Sequence, residues 1–195
     1  GERLSTAWGA PSAVLQGVVE RLMDKVGGLP DNFESEINLR AAPWLREVSQ
    51  RIGKGLMLLI DYGYNRAEYY HPQRDQGTLM CHFRHRAHAD PLFHPGLQDI
   101  TAHVDFTALA EAALEAELSV CGFTTQAFFL MGCGLEQLLS ESDPEDVQRH
   151  LLLMQGVKRL TLPSEMGERF KVLGLSRGLN TQPIGFSLQD MRGRL

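Results

Sequence analysis

The sequence has little cysteine, no surplus of positive charge, no long apolar run and no repeat, and each shortage removes a class of protein. Three cysteines in 195 residues, odd in number and without close pairing, make no disulfide framework and fit a reducing compartment. Nineteen Lys and Arg against 24 Asp and Glu leave a net charge of -5, which gives no electrostatic reason to expect a nucleic acid. No apolar stretch approaches the roughly 20 residues that cross a bilayer, and the N-terminus lacks the basic-then-apolar order of a secretory leader. Neither nucleic acid nor membrane is therefore expected as a partner. The chain opens on Gly1 and not Met, which points to a trimmed or truncated chain. C-x-x-C and H-E-x-x-H motifs are absent, and the G-x-G at Gly132 and Gly134 has no third glycine, so it is expected to make only a tight turn.

What is present is the composition of one globular domain over residues 1–195, 43% apolar and 22% charged. Val14, Val18, Leu22 and Val26, stopped by Gly27 and Gly28, predict an amphipathic helix within residues 11–28. A second helical pattern covers 34–52, where Pro43 should kink it or start a fresh turn. "GLMLLIDYGY", residues 55–64, reads as a strand buried on both faces. Its carboxyl end carries Asp61 and Gly63, at the place where open α/β sheets bind ligands. From Tyr69 to Phe106 regular periodicity disappears, and a connection of that length suggests a binding loop or lid. Residues 106–118 predict a helix capped by Asp105 or Thr107, 119–131 a strand, and 134–139 a short helix. Ser142, Pro144 and Glu145 should open a helix over 142–160, and 169–178 reads as a last strand. Helices alternate with three buried strands, the order of a layered α/β domain.

The blocks "GLMLLIDYGY", "EYYHPQRDQGTLMCHFRHRAHADP", "PGLQDITAHVDFTALAEAA" and "EMGERFKVLGLS" resemble the C-terminal half of the MidA family of S-adenosylmethionine-dependent methyltransferases, from about Leu29 onward. The resemblance implies an α/β, class I (Rossmann-like) methyltransferase fold with helical insertions. This chain would be its C-terminal part: strands five to seven plus a substrate-side loop over 69–106. It also implies S-adenosylmethionine as cofactor of the full-length protein and methyl transfer to a protein side chain, arginine in the first place. The family includes a mitochondrial complex I assembly factor, so the implied partner is a protein substrate such as a respiratory complex I subunit. The implied location is the cytoplasm of a bacterium or the mitochondrial matrix of a eukaryote. Members are longer, and their glycine-rich cofactor loop and ribose-holding acid have no counterpart here. No cofactor-binding residue is therefore assigned, and the chain alone is expected to be inactive. A sheet cut at its fifth strand would expose an apolar edge, so a homodimer or other self-association is expected.

Residues 76–106 hold five of the seven histidines (His82, His85, His88, His94, His103), Cys81 and three aspartates. If the acceptor is a guanidinium, carboxylates must hold its fork. Asp61, Asp99 and Asp105 are available, with Glu34 and Glu36 as outer candidates. His82, His85 or His103 can take the proton. Gln76 and Thr78 can hydrogen-bond a substrate, as can the backbone at Gly63, while Arg84 either meets the substrate or pairs with acidic neighbours. Asp105 as a helix cap and Asp61 as a turn acceptor are the plainer roles of those two residues. On a helix, His82, His85 and His88 would lie along one side and could begin a zinc site with Cys81, His94, His103 and Asp105. Arg84 and Arg86 stand among them and oppose a divalent ion, so no metal ligand is assigned. Two further readings stay open beside the methyltransferase. One is a non-catalytic protein-binding module, which the absent cofactor half favours for the isolated chain. The other is a metallohydrolase using the His/Asp cluster.

Overall fold

A computed structural model describes residues 4–143 and 145–195. Contacts divide the chain into two compact units, the first running up to Leu39 and resuming over Arg66–His103, the second comprising Arg40–Asn65 and Val104–Leu195. The helices are α1 (Ala13–Val26), α2 (Ala41–Ser49), α3 (Arg66–Tyr69), α4 (Phe106–Glu115), α5 (Gln126–Gly132), α6 (Leu135–Ser140) and α7 (Val147–Thr161). The strands are β1 (Gly55–Tyr64), β2 (Met80–Phe83), β3 (Arg86–His88), β4 (Asp99–Thr101), β5 (Val104–Asp105), β6 (Ser119–Thr125) and β7 (Phe170–Arg177).

The second unit is built on a four-stranded sheet in the order β5-β1-β7-β6. β7 runs antiparallel to both neighbours, from Gly55↔Arg177 to Tyr62↔Phe170 against β1 and from Ser119↔Ser176 to Thr125↔Lys171 against β6. β5 adds a parallel pairing only at Gly63↔Val104 and Tyr64↔Asp105. Among the described residues, then, β1 has a strand along one side over most of its length and none along the other before Gly63.

Alternation along the strands sorts two faces. On one, Met57, Leu59, Phe123, Leu173 and Leu175 pack with Leu45 of α2 and with Phe106, Leu109 and Ala113 of α4. On the other, Phe186 lies over β6 and β7, where the absence of a side chain at Gly174 makes room; a Cβ there would meet the ring at 2.6 Å. The corresponding face of β1 is only partly covered: Leu56, Leu58, Ile60 and Tyr62 are 40%, 38%, 48% and 44% exposed, although the Tyr62 ring lies 4.0 Å from that of Phe170. β1 is thus buried on one face and not, as its apolar run predicted, on both. The run records a face that suits a fuller cover than the described residues supply.

Arg177 at the end of β7 ties this unit together. Its Nη1 donates to the carbonyls of Ser49 and Ile52, each at 2.8 Å, and its Nη2 donates to that of Ala116 at 2.6 Å. These carbonyls belong to the C-terminal ends of α2 and α4 and the turn after α2, where unsatisfied carbonyls and the helix dipole favour a cation.

Helix α4 starts where the sequence places it, with Asp105 as cap accepting from the Ala108 N–H at 3.0 Å. The strand predicted over 119–131 stops at Thr125, whose Oγ1 accepts from the Phe128 N–H and opens α5. A short apolar run does not by itself distinguish strand from helix, and the threonine cap decides it. The helix predicted from residue 34 begins only at Ala41, with Pro43 in its first turn, where the missing N–H does no harm. Helix α7 is capped by Asp146 on the Arg149 N–H, later than the predicted start at Ser142; Pro144 lies outside the described residues.

In the first unit α1 is capped by Ser12 on the Leu15 N–H and ends at Gly27 in the left-handed region. Where the sequence predicted only irregular chain, β2, β3 and β4 form an antiparallel sheet in the order β3-β2-β4. Its strands have three or four residues, too few for alternation to register in the sequence. Arg84 and His85, with φ of 48° and 64°, make the two-residue link between β2 and β3.

Candidate functional site

The residues singled out in the sequence fall on both units. In the second unit, Asp61 and Gly63 lie towards the carboxyl end of β1 and Asp105 on β5, where its pairing with Tyr64, three positions from Asp61, sets the two carboxylates on opposite faces of the sheet. Asp61 is exposed, sits opposite Lys171 of β7, and uses Oδ1 to accept from the N–H of Tyr62 at 2.8 Å. Gly63 is buried because β1 approaches β5 closely; a Cβ would lie 2.3 Å from the Val104 carbonyl oxygen and 2.7 Å from the Phe106 ring. Half-buried Asp105 caps α4, the plainer of its two expected roles.

In the first unit the organising residue is one the sequence ranked low. Glu36 accepts on Oε2 from the Thr78 N–H and the Thr78 hydroxyl, each at 2.9 Å, and on Oε1 from the Leu79 N–H at 3.1 Å. Thr78 Oγ1 in turn accepts from the N–H of His103 at 3.0 Å. Gly77 has a φ of 69°, and a Cβ there would meet Glu36 Oε1 at 2.4 Å, so both its conformation and its bareness serve this contact. Just before it, Gln76 forms a parallel bridge with Glu34, and the Glu34 N–H donates to the Asp75 carbonyl at 2.9 Å. Thr78 and Glu36 are therefore occupied with each other. The "QGT" of residues 76–78 hinted at a turn, but its partner lies 42 residues earlier, beyond any local pattern.

The remaining candidates lie on the small sheet. His82 is exposed on β2, across from Ala87 on one side and Asp99 on the other. His88 faces Cys81 in the next register pair, so alternation places it on the opposite face from His82, while His85 is at the hairpin tip. The three histidines do not share one side, as a helix would have had them. Among the described residues no three His, Cys, Asp or Glu side chains come together as a metal site would require. Two of the thiols are held protonated: burial pushes Cys121 up, against an opposing hydrogen bond with Ser176, and burial also raises Cys133.

Gly132 and Gly134 do not form a cofactor loop. Gly132 packs against the backbone at Gly185, whose carbonyl oxygen a Cβ would meet at 2.9 Å, and Gly134, with a φ of 89°, starts α6. Among the described residues no glycine-rich turn leads a strand into a helix.

Loss of the Glu36 carboxylate should loosen residues 76–79. Glu36→Ala strips three donors of their acceptor, a cost on the order of 2 kcal/mol for hydrogen bonds to a charged group. Hydrogen exchange at the Thr78 and Leu79 amides should accelerate accordingly, with Glu36→Gln in between. Unchanged exchange would mean that the turn holds without the carboxylate.

The model of a family of S-adenosyl-L-methionine-dependent methyltransferases matches residues 3–124. A Burkholderia thailandensis protein crystallised with S-adenosyl-homocysteine is 40% identical with a TM-score of 0.88, over 95% of this chain and 47% of that one. A native crystal structure from the same organism is 45% identical with a TM-score of 0.80, over 83% and 43%. "Protein arginine methyltransferase NDUFAF7 homolog, mitochondrial" of Drosophila melanogaster is 34% identical over 170 residues, 82% of this chain and 36% of its own length. The Homo sapiens "Protein arginine methyltransferase NDUFAF7, mitochondrial" is 36% identical over 141 residues, 67% and 29% respectively. The chain spans about a third of the length of these curated relatives. No helix among the described residues is long and apolar enough to cross a membrane.

Proposed function

Since the chain belongs to the family of S-adenosylmethionine-dependent methyltransferases, we propose that it forms the acceptor side of an enzyme that methylates a protein side chain, arginine in the first place. The observation that carries this reading is the β1-β7-β6 sheet, with its last strand reversed, in a chain that superposes over 95% of its length on a relative bound to S-adenosyl-homocysteine. Arginine is supported by the names of the Drosophila and human relatives.

S-adenosylmethionine supplies an electrophilic methyl group, and among the described residues no glycine-rich turn joins a strand to a helix to cradle it. What this chain contributes is acceptor chemistry. Asp61 spends one oxygen on the Tyr62 N–H and keeps the other towards solvent, at the sheet end where α/β proteins bind ligands. Asp105 adds a second carboxylate on the neighbouring β5. Either carboxylate, each on its own face of the sheet, suits a forked guanidinium, which it would hold and partly neutralise. In the first unit Gln76, Thr78, His82, Arg84, His85, Asp99 and His103 make up the protein-binding part of the reading, with Thr78 acting through the position it gives to His103. We place the complete protein in a bacterial cytoplasm or a mitochondrial matrix, acting on a protein partner such as a respiratory complex I subunit, a reading supported by the mitochondrial names of the eukaryotic relatives.

The chain alone should show no micromolar binding of S-adenosylmethionine in a calorimetric titration. A low-micromolar dissociation constant, about -8 kcal/mol, would overturn the division of labour just described. The complete protein should transfer a labelled methyl group to arginine, and Asp61→Asn should reduce that transfer without weakening cofactor binding. A protein-binding module remains the second reading for the chain by itself, favoured by the partly covered face of β1.

A further inference from the structure

The β2–β3 hairpin is turned by residues poorly suited to its shape. Two-residue links in which both φ angles are positive favour Asn-Gly or Asp-Gly, because a side chain crowds the backbone in the left-handed region. Here Arg84 and His85 occupy them, at 48° and 64°. His94, whose ring lies 5.0 Å from that of Phe83, is a third such residue at 47°. Strain of this kind persists where its surroundings hold it, and it clusters at sites of function. The surroundings are aromatic: Phe83 meets Phe93 edge-on at 6.0 Å, and the Arg84 guanidinium stands 5.3 Å over the Phe83 ring.

Arg84 and Arg86 are both exposed, and among the described residues neither pairs with a carboxylate, although acids outnumber bases 24 to 19 in the chain. Asp90, close by in sequence, spends Oδ1 on the Leu92 N–H at 2.9 Å, and Asp99 lies across from His82. The hairpin therefore presents two forked cations and an imidazole at and beside its two-residue turn.

We propose that the Arg84–His85 tip, together with Arg86, docks an acidic segment of the protein that is methylated. This rests on the protein-methyltransferase reading given above. A guanidinium offers paired donors that match a carboxylate, and Arg84, already seated on the Phe83 ring, loses little freedom on binding. A nucleic acid, the other polyanion that a cationic tip could attract, is held through many phosphates at once, and two arginines on a chain of net charge -5 are too few.

Fluorescence anisotropy of the 195-residue chain tests this with two labelled peptides, one carrying four Asp and Glu residues beside an arginine and one with Asn and Gln in their place. The acidic peptide should bind at least about tenfold more tightly, the preference should shrink with added salt, and Arg84→Ser with Arg86→Ser should abolish it. The sharper variant is Arg84→Asn with His85→Gly, which installs the pair the turn prefers. It should raise the melting temperature by about 2 °C or more while losing the preference for the acidic peptide, so that unfolding cannot account for the loss. Equal binding of the two peptides, undiminished preference in the Asn-Gly variant, or tighter binding of a single-stranded thymidine oligonucleotide would each overturn the proposal. No methyl transfer is involved in the measurement, so a failure here leaves the catalytic reading standing, and a failure of methylation leaves this result standing.

Discussion

On its own the 195-residue chain should sediment as a dimer or larger assembly, and Leu58→Lys with Ile60→Lys should turn it into a monomer. Leu56, Leu58, Ile60 and Tyr62 stand partly exposed at alternate positions of β1, and among the described residues the same strand has no neighbouring strand along one edge before Gly63. An apolar face joined to an open edge is the combination that templates pairing between chains. Covering the exposed parts of four such side chains contributes on the order of 1 kcal/mol each, before any hydrogen bonds between strands. Leu58 and Ile60 are 38% and 48% exposed, so a lysine stem can lie along the same strand while its ammonium reaches out to where a second chain would sit. Sedimentation velocity over a concentration series makes the measurement. A compact monomer at every concentration for the unsubstituted chain would show that the partly covered face is harmless.

The second large effect concerns Asp105. In the complete protein Asp105→Asn should leave the melting temperature nearly unchanged and lower methyl transfer by roughly tenfold or more. Asparagine caps a helix about as well as aspartate, so the contact with the Ala108 N–H survives. What the substitution removes is the negative charge, which a cap does not need and a guanidinium does. His103→Ala should act in the same direction, with cofactor affinity spared, because both lie on the acceptor side of the proposal. Full activity in Asp105→Asn would confine that residue to the helix it caps, and a large fall in melting temperature would show that its charge serves the fold.

The parts of the molecule that the sequence disclosed are those with long, strong patterns. β1 occupies residues 55–64 as read, with Asp61 and Gly63 at its carboxyl end, and α4 follows its aspartate cap. What escaped was decided elsewhere. α5 looks like a continuation of β6 until Thr125 is seen to cap it. The small sheet is built from strands of three and four residues, linked by Arg84 and His85 where the preferred Asn-Gly would have announced a hairpin. The commitment of Glu36 to Thr78 and Leu79 joins two segments that share no periodicity, so a residue named only as an outer candidate for the substrate turns out to hold the chain.

The place of β7 has a consequence for how the second unit comes into being. It lies between β1 and β6, yet it leaves the ribosome after both of them, and Arg177, which reaches back to Ser49 across 128 positions, is its final residue. Until Phe170 and its successors emerge, β1 and β6 have no strand between them, and the carbonyls at the ends of α2 and α4 lack the Arg177 guanidinium they share. Contacts this distant in sequence make assembly slow and leave apolar strands waiting. A nascent chain stalled before residue 170 would be a ready target for chaperones and proteases, whereas one missing α1, which belongs to the other unit, would still hold every strand of this sheet.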